Sequence, residues 1–226
     1  MTAAHGWSSI NLETLQPTAR FAGVFVLQNM KNILFIDGRN FLSKMEFVLN
    51  SYNDKKKEID FSKYNFSGLF DKAITDVKVD RKIIYMSSLS IHKDTKEKSE
   101  ALIIKQRNLQ NSLRRQGFEV VISGRVRGHM EKCPKGHETL TFREKGVDVR
   151  MAVDMVSMAC DKELKTAIIG SSDSDLQPAI KELQKRGIER IYLGFENQPN
   201  KGLAFTTNRT ILIRNSEVGE FAKGNM

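Results

Sequence analysis

Acidic side chains recur where short apolar runs of this chain end. Asp37-Gly38-Arg39-Asn40 follows the run Asn32–Ile36, and Gly170-Ser171-Ser172-Asp173-Ser174-Asp175 follows Thr166–Ile169. Between them, Lys145-Gly146-Val147-Asp148-Val149 opens a helical stretch, where the positive helix end favours a carboxylate. Carboxylates brought together repel one another, and a hard divalent cation with oxygen ligands neutralises them. Mg²⁺ or Mn²⁺ held by Asp37, Asp148, Asp173 and Asp175 can activate water and stabilise charge on a phosphoryl oxygen. Each acid also has a plainer reading, because Asp is a favoured helix cap. Asp37 can cap the helix after it, and Asp173 or Asp175 the helix Leu176–Arg186. The cap is the better reading of any one acid; joint placement at one sheet edge favours the metal. Asp154 lies six residues past Asp148, about 240° round a helix, so the two do not share a face. It is a second-tier candidate, expected to bond to the backbone or to a basic side chain.

The elements that must position these residues alternate. Short β-branched runs at Asn32–Ile36, Lys82–Met86, Phe118–Ile122, Thr166–Ile169, Arg190–Leu193 and Thr210–Ile213 read as strands. Phe41–Leu49, Lys93–Arg115, Val147–Cys160 and Asp175–Arg186 read as helices, with Gly117 and Gly187 as stops. In Lys93–Arg115 the apolar stripe is Leu102, Ile103, Leu109 and Leu113; Ser51–Lys63 reads as a loop. Strand and helix in alternation, with continuously apolar strands, predict an α/β fold with a central, mainly parallel sheet flanked by helices. Ligands of such sheets bind at the carboxyl ends of the strands, where these acids fall. Residues 124–142 read as a basic hairpin insertion in a single domain spanning 30–226. Residues 1–29 read as an N-terminal extension outside the core.

Charge sharpens the picture. The 226 residues carry 36 Lys+Arg against 27 Asp+Glu, a formal +9. That excess suits a polyanionic partner, nucleic acid before anionic membrane, although it also serves as a solubility charge. No run approaches the roughly 20 apolar residues of a membrane span. Two cysteines, Cys133 and Cys160, are no disulfide scaffold, so a reducing, cytoplasmic setting is expected. There is no G-x-x-x-x-G-K-[ST] loop and no G-x-G-x-x-G fingerprint. An aspartyl-nucleophile phosphatase would want a second Asp at position 39, which is Arg. His5, His92, His129 and His137 fall in no triad-like setting.

The three acidic motifs, with Asp154 and Pro178, occur in an order and spacing that resemble the NYN family, in its LabA-like branch of the PIN-like nuclease superfamily. The resemblance spans roughly residues 31–195. It implies a PIN-like three-layer sandwich and a Mg²⁺- or Mn²⁺-dependent ribonuclease acting on RNA, with single-stranded DNA as a further substrate. Carried over by motif, Asp37, Asp148, Asp173 and Asp175 become metal ligands. Asn40 orients the site or contacts a phosphate, and Ser171 and Ser172 donate to one. The family's common Gly-Asp-Ser-Asp-Phe reads Ser-Ser-Asp-Ser-Asp-Leu here. Of the cysteine-rich knuckle of some relatives only Cys133-Pro134-Lys135-Gly136-His137 remains, two ligands where structural zinc wants four, so zinc is not expected.

Arg39, Arg125, Arg127, Lys132, Lys135 and Lys145 are the candidate nucleic-acid contacts. Arg39 can grip a phosphate or pair with an acid. Two other functions fit the same residues: a non-catalytic nucleic-acid-binding regulator, and a phosphohydrolase acting on small nucleotides. The sequence does not distinguish a monomer from a homodimer.

Overall fold

The computed structural model describes residues 30–51, 59–91, 96–132 and 138–222. The 1–29 extension, His92, Lys93 and the hairpin tip with Cys133, Lys135 and His137 lie outside them.

Seven strands form one sheet in the order β4-β3-β2-β1-β5-β6-β7. They are β1 (Lys31–Asp37), β2 (Arg81–Ser88), β3 (Phe118–Lys132), β4 (Glu138–Lys145), β5 (Leu164–Gly170), β6 (Glu189–Phe195) and β7 (Arg209–Ile213). All neighbours pair in parallel except β3 with β4. This is the α/β architecture expected from the alternating runs.

Strand alternation divides the core into two layers. Leu34 and Ile36 of β1 point to one face and pack with residues of three helices. These are α1 (Gly38–Ser51), α2 (Phe66–Ala73) and α3 (Lys96–Arg115). Ile33 and Phe35 point to the other face, with α4 (Val147–Cys160), α5 (Gln177–Lys185) and α6 (Lys201–Thr206). A last helix, α7 (Asn215–Glu220), returns Val218 to the first face. Both faces are therefore covered, which is why β1, β2, β5 and β6 carry unbroken buried runs.

Three local features differ from the sequence reading. α2 falls in a stretch with no assigned element; Asn65 caps it by accepting from the Gly68 amide at 2.9 Å. The stripe of α3 is buried only in its C-terminal half, at Leu109 and Leu113, while Leu102 is 44% exposed. β3 runs on past Ile122 to Lys132, beyond its last partner in β2, and pairs from Arg125 onward with β4. The β3–β4 arm thus overhangs the carboxyl edge of the sheet.

The chain builds outward from β1 to β2 and β3, then returns to place β5 on the other side of β1. The reversal lies between β1 and β5, and crevices at such reversals are where open parallel sheets bind ligands.

Candidate metal centre

Asp37 is the last residue of β1, and Ser171, Ser172 and Asp173 directly follow β5. The Ile36–Gly170 pairing sets the two loops side by side at the reversal point. Gly38 lets α1 leave β1 tightly, since a Cβ there would stand 2.7 Å from the Tyr85 carbonyl oxygen. At the end of β4, Gly146 takes the left-handed conformation (φ 88°) and turns the chain into α4, delivering Asp148 in its first turn.

Asp148, Asp173 and Asp175 converge so that one carboxylate oxygen of each lies within 4.8 Å of the others. Asp37 is the fourth acid of the same pocket, about 490 Å³, which Asn40, Ser43, Lys44 and Glu144 also line. An all-oxygen, all-anionic donor set of this kind suits Mg²⁺ or Mn²⁺ and is a poor match for a metal preferring nitrogen or sulfur.

Cap and cluster turn out to be compatible. Asp37 Oδ1 accepts from the Asn40 amide at 3.1 Å, and Asp173 Oδ1 accepts from the Asp175 amide at 2.9 Å. Each cap uses one oxygen, and the second oxygen of Asp37 accepts from the Ser171 hydroxyl at 3.5 Å. Asp173 thereby starts the 3-10 turn Ser174–Leu176 that precedes α5. Asp37 is 8% exposed, and burial pushes its carboxyl above the ordinary range. The Asn40 amide counteracts part of that rise, while the charges of Asp173 and Asp148 add to it.

A second set of side chains holds the loops. Asn40 Oδ1 accepts from the Ser172 amide at 2.9 Å, tying α1 to the β5 loop. The buried Ser171 hydroxyl accepts from the Asp173 amide at 3.1 Å and lies 3.5 Å from Asp37 Oδ2. Asn200, which the sequence reading did not include, donates to the Ser172 carbonyl at 2.8 Å and caps α6 through Leu203. Its amide in turn donates to the Tyr192 hydroxyl at 2.9 Å. Asp154 faces away from the trio and pairs with Arg150 at 2.8 Å. It also accepts from the Tyr85 hydroxyl at 3.1 Å.

Glu144 is another residue missing from the sequence reading. It stands one residue before the Lys145-Gly146 motif, and nothing in its local pattern marks it. Its side chain is largely buried and ion-paired to Arg39 at 3.6 Å. Burial raises its carboxyl above the ordinary range; a hydrogen bond from Ser87 opposes this, and the charge of Asp37 reinforces it.

Among the basic candidates, Arg39 lines the acid pocket, and Arg125 and Lys145 are exposed opposite each other in the β3–β4 register. Lys132 is exposed further out on the arm. Arg127 belongs to β3, and Lys135 lies outside the described residues. No helix among the described residues is long and apolar enough to cross a membrane.

The family model described as NYN domain matches residues 31–213. A crystal structure of a protein of unknown function from Vibrio parahaemolyticus is similar in fold, with a TM-score of 0.51 at 16% identity. The likeness covers 82% of this chain and 94% of that one. No curated protein matches the chain.

Proposed function

Because the chain belongs to the NYN domain family, which lies within a nuclease superfamily, we propose that it is a divalent-metal-dependent ribonuclease. The observation that carries this reading is the convergence of Asp148, Asp173 and Asp175 beside the buried Asp37. Assignment to the LabA-like branch of PIN-like domains is part of the same reading, supported by the order of the three acidic motifs and by the parallel sheet. Mg²⁺ or Mn²⁺, held by the three converging acids with Asp37 as a further ligand, would supply an activated water and neutralise charge on the phosphate.

The chain's own groups have distinct tasks. Asp173 is held by its cap and by Ser171, so its free oxygen needs little reorganisation. Asn40 and Ser171 fix the β5 loop against α1. Arg39 is 59% exposed on the acid pocket's rim, where its guanidinium can exchange Glu144 for a phosphate oxygen. The basic residues of α3 and of the β3–β4 arm neutralise the remainder of the polynucleotide.

The test is cleavage of labelled RNA, single- and double-stranded DNA and a small phosphodiester, each with Mn²⁺, Mg²⁺ or EDTA. RNA is expected to be cut with either metal and spared in EDTA. Asp173→Asn and Asp37→Asn should each lower the rate by about 100-fold or more, the scale of losing one preorganised electrostatic group. Unchanged cleavage in both variants rejects the assignment. Tight RNA binding without metal-dependent cleavage would favour a regulator, and equal turnover of the small phosphodiester a nucleotide phosphohydrolase.

A further inference from the structure

Two cations of α1, Arg39 and Lys44, line the acid pocket. Five residues apart, they leave the helix about 140° from each other. Arg39 reaches Glu144, which belongs to β4. Lys44 donates to the Gln198 side-chain oxygen at 2.6 Å, in the loop between β6 and α6. In the sheet, β4 and β6 lie on opposite sides of β1. The two cations therefore flank the acids on opposite sides, Arg39 toward the β3–β4 arm and Lys44 toward the far half of the sheet. On the arm side, Arg39 and Glu144 also line a second, larger cleft with Lys98 and Arg125.

The partners of the two cations differ in charge. Five carboxylates line the pocket, those of Asp37, Glu144, Asp148, Asp173 and Asp175. Lys44 nevertheless makes no ion pair among the described residues, and its partner is a neutral amide. The bond to Gln198 thus fixes the ammonium without cancelling its charge. Lys44 is half-buried and Gln198 is exposed, so the ammonium stands where solvent and a ligand can reach it. An ammonium carries three donors, and a compact point charge of this kind suits a phosphate oxygen. A metal on the converging acids neutralises one phosphate of a polynucleotide. The phosphates on either side of it need counter-charges of their own.

We propose that Lys44 binds the phosphate next to the scissile one on the β6 side, and that Arg39 binds its counterpart on the β4 side. The backbone of the substrate then crosses the carboxyl edge of the sheet from the arm toward the β6–α6 loop. The proposal rests on the ribonuclease reading and adds to it a direction for the substrate and a subsite at Lys44.

Charge deletion on both partners tests it. A labelled oligoribonucleotide is prepared with single internucleotide phosphates replaced by uncharged methylphosphonate, and its cleavage is followed with Mn²⁺. In the parent protein, a neutral linkage on either side of the cut bond should raise KM about fivefold, between the worth of an exposed ion pair and that of a charge-assisted hydrogen bond. Lys44→Gln should raise KM for the native strand by a similar factor and leave kcat near the parent's, the pattern of lost substrate binding. In that variant the neutral linkage on one side should cost nothing further, while the one on the other side keeps its full cost. Arg39→Gln should give the mirror pattern. Lys165→Gln removes an equal charge at the amino end of β5 and should behave as the parent. Full cost on both sides in Lys44→Gln, loss of the same side in both variants, or a fall in kcat at unaltered KM would each overturn the proposal. RNA left uncut by the parent would reject the nuclease, and anisotropy at low salt in EDTA then decides on Lys44. Weaker binding in Lys44→Gln than in Lys165→Gln would uphold the phosphate subsite, and equal binding would overturn it.

Discussion

At the scale of single residues, the acids of the pocket have unequal surroundings, and this gives them separable signatures. Asp37 is buried near two like charges, so its folded-state carboxyl binds a proton more readily than an ordinary one. A raised carboxylate lowers stability: the loss is absent below the ordinary carboxylate range and complete above the folded value. Asp37→Asn keeps an oxygen for the Asn40 amide and removes the charge. In EDTA at neutral pH it should therefore melt at a higher temperature than the parent. Thermal melts should show that gap closing as the pH falls toward 4. Asp154 makes the contrasting case. Burial pushes the Tyr85 hydroxyl up, so it remains a donor, and Asp154 is its acceptor. Asp154→Ala should cost about 1–3 kcal/mol in urea unfolding, through the stranded hydroxyl. Its Mn²⁺ affinity by calorimetry should match the parent's; a tenfold loss would put Asp154 in the metal site.

Elements explain what was legible in the sequence and what was not. Continuous apolar runs identify β1, β2, β5 and β6 because both sheet faces are covered, and acids that follow such runs must gather at the carboxyl edge. Gly117 and Gly187 mark helix ends through their positive φ angles of 83° and 73°. Glu144 and Asn200 were not legible, because their roles depend on partners that only the tertiary fold supplies. Glu144 meets Arg39 through the return register of β4, and Asn200 meets Ser172 across the top of the sheet. α3 was read with one apolar stripe of Leu102, Ile103, Leu109 and Leu113; Leu102 is exposed instead of buried, a distinction that helical spacing does not contain. Close approach is a further element-scale constraint. Gly38→Ala would drive a methyl group against the Tyr85 carbonyl oxygen, part of the β2 backbone. It should lower stability by about 1–3 kcal/mol in chemical denaturation and loosen the cap on Asp37.

For the whole molecule, charge is arranged by contrast. The acidic pocket has Arg39 at its rim, and Lys98 and Arg125 rim a neighbouring cleft, so the formal +9 of the chain is not spread evenly. Binding of single-stranded RNA should fall linearly in log affinity with log salt, and the slope should shrink by about 0.7 for each rim cation replaced by Gln. Anisotropy titrations from low to moderate salt measure this, and an unaltered slope in Arg125→Gln would remove that residue from the phosphate path. The reversal point has one more consequence. Asn32 pairs with Thr166 across β1 and β5, and Asp173 follows only after β5 is laid down. During synthesis on a ribosome, Asp37 emerges early but has no partner acids until most of the polypeptide has been made. Any capacity of these acids to hold a metal together is thus withheld from the nascent chain until β5 docks against β1.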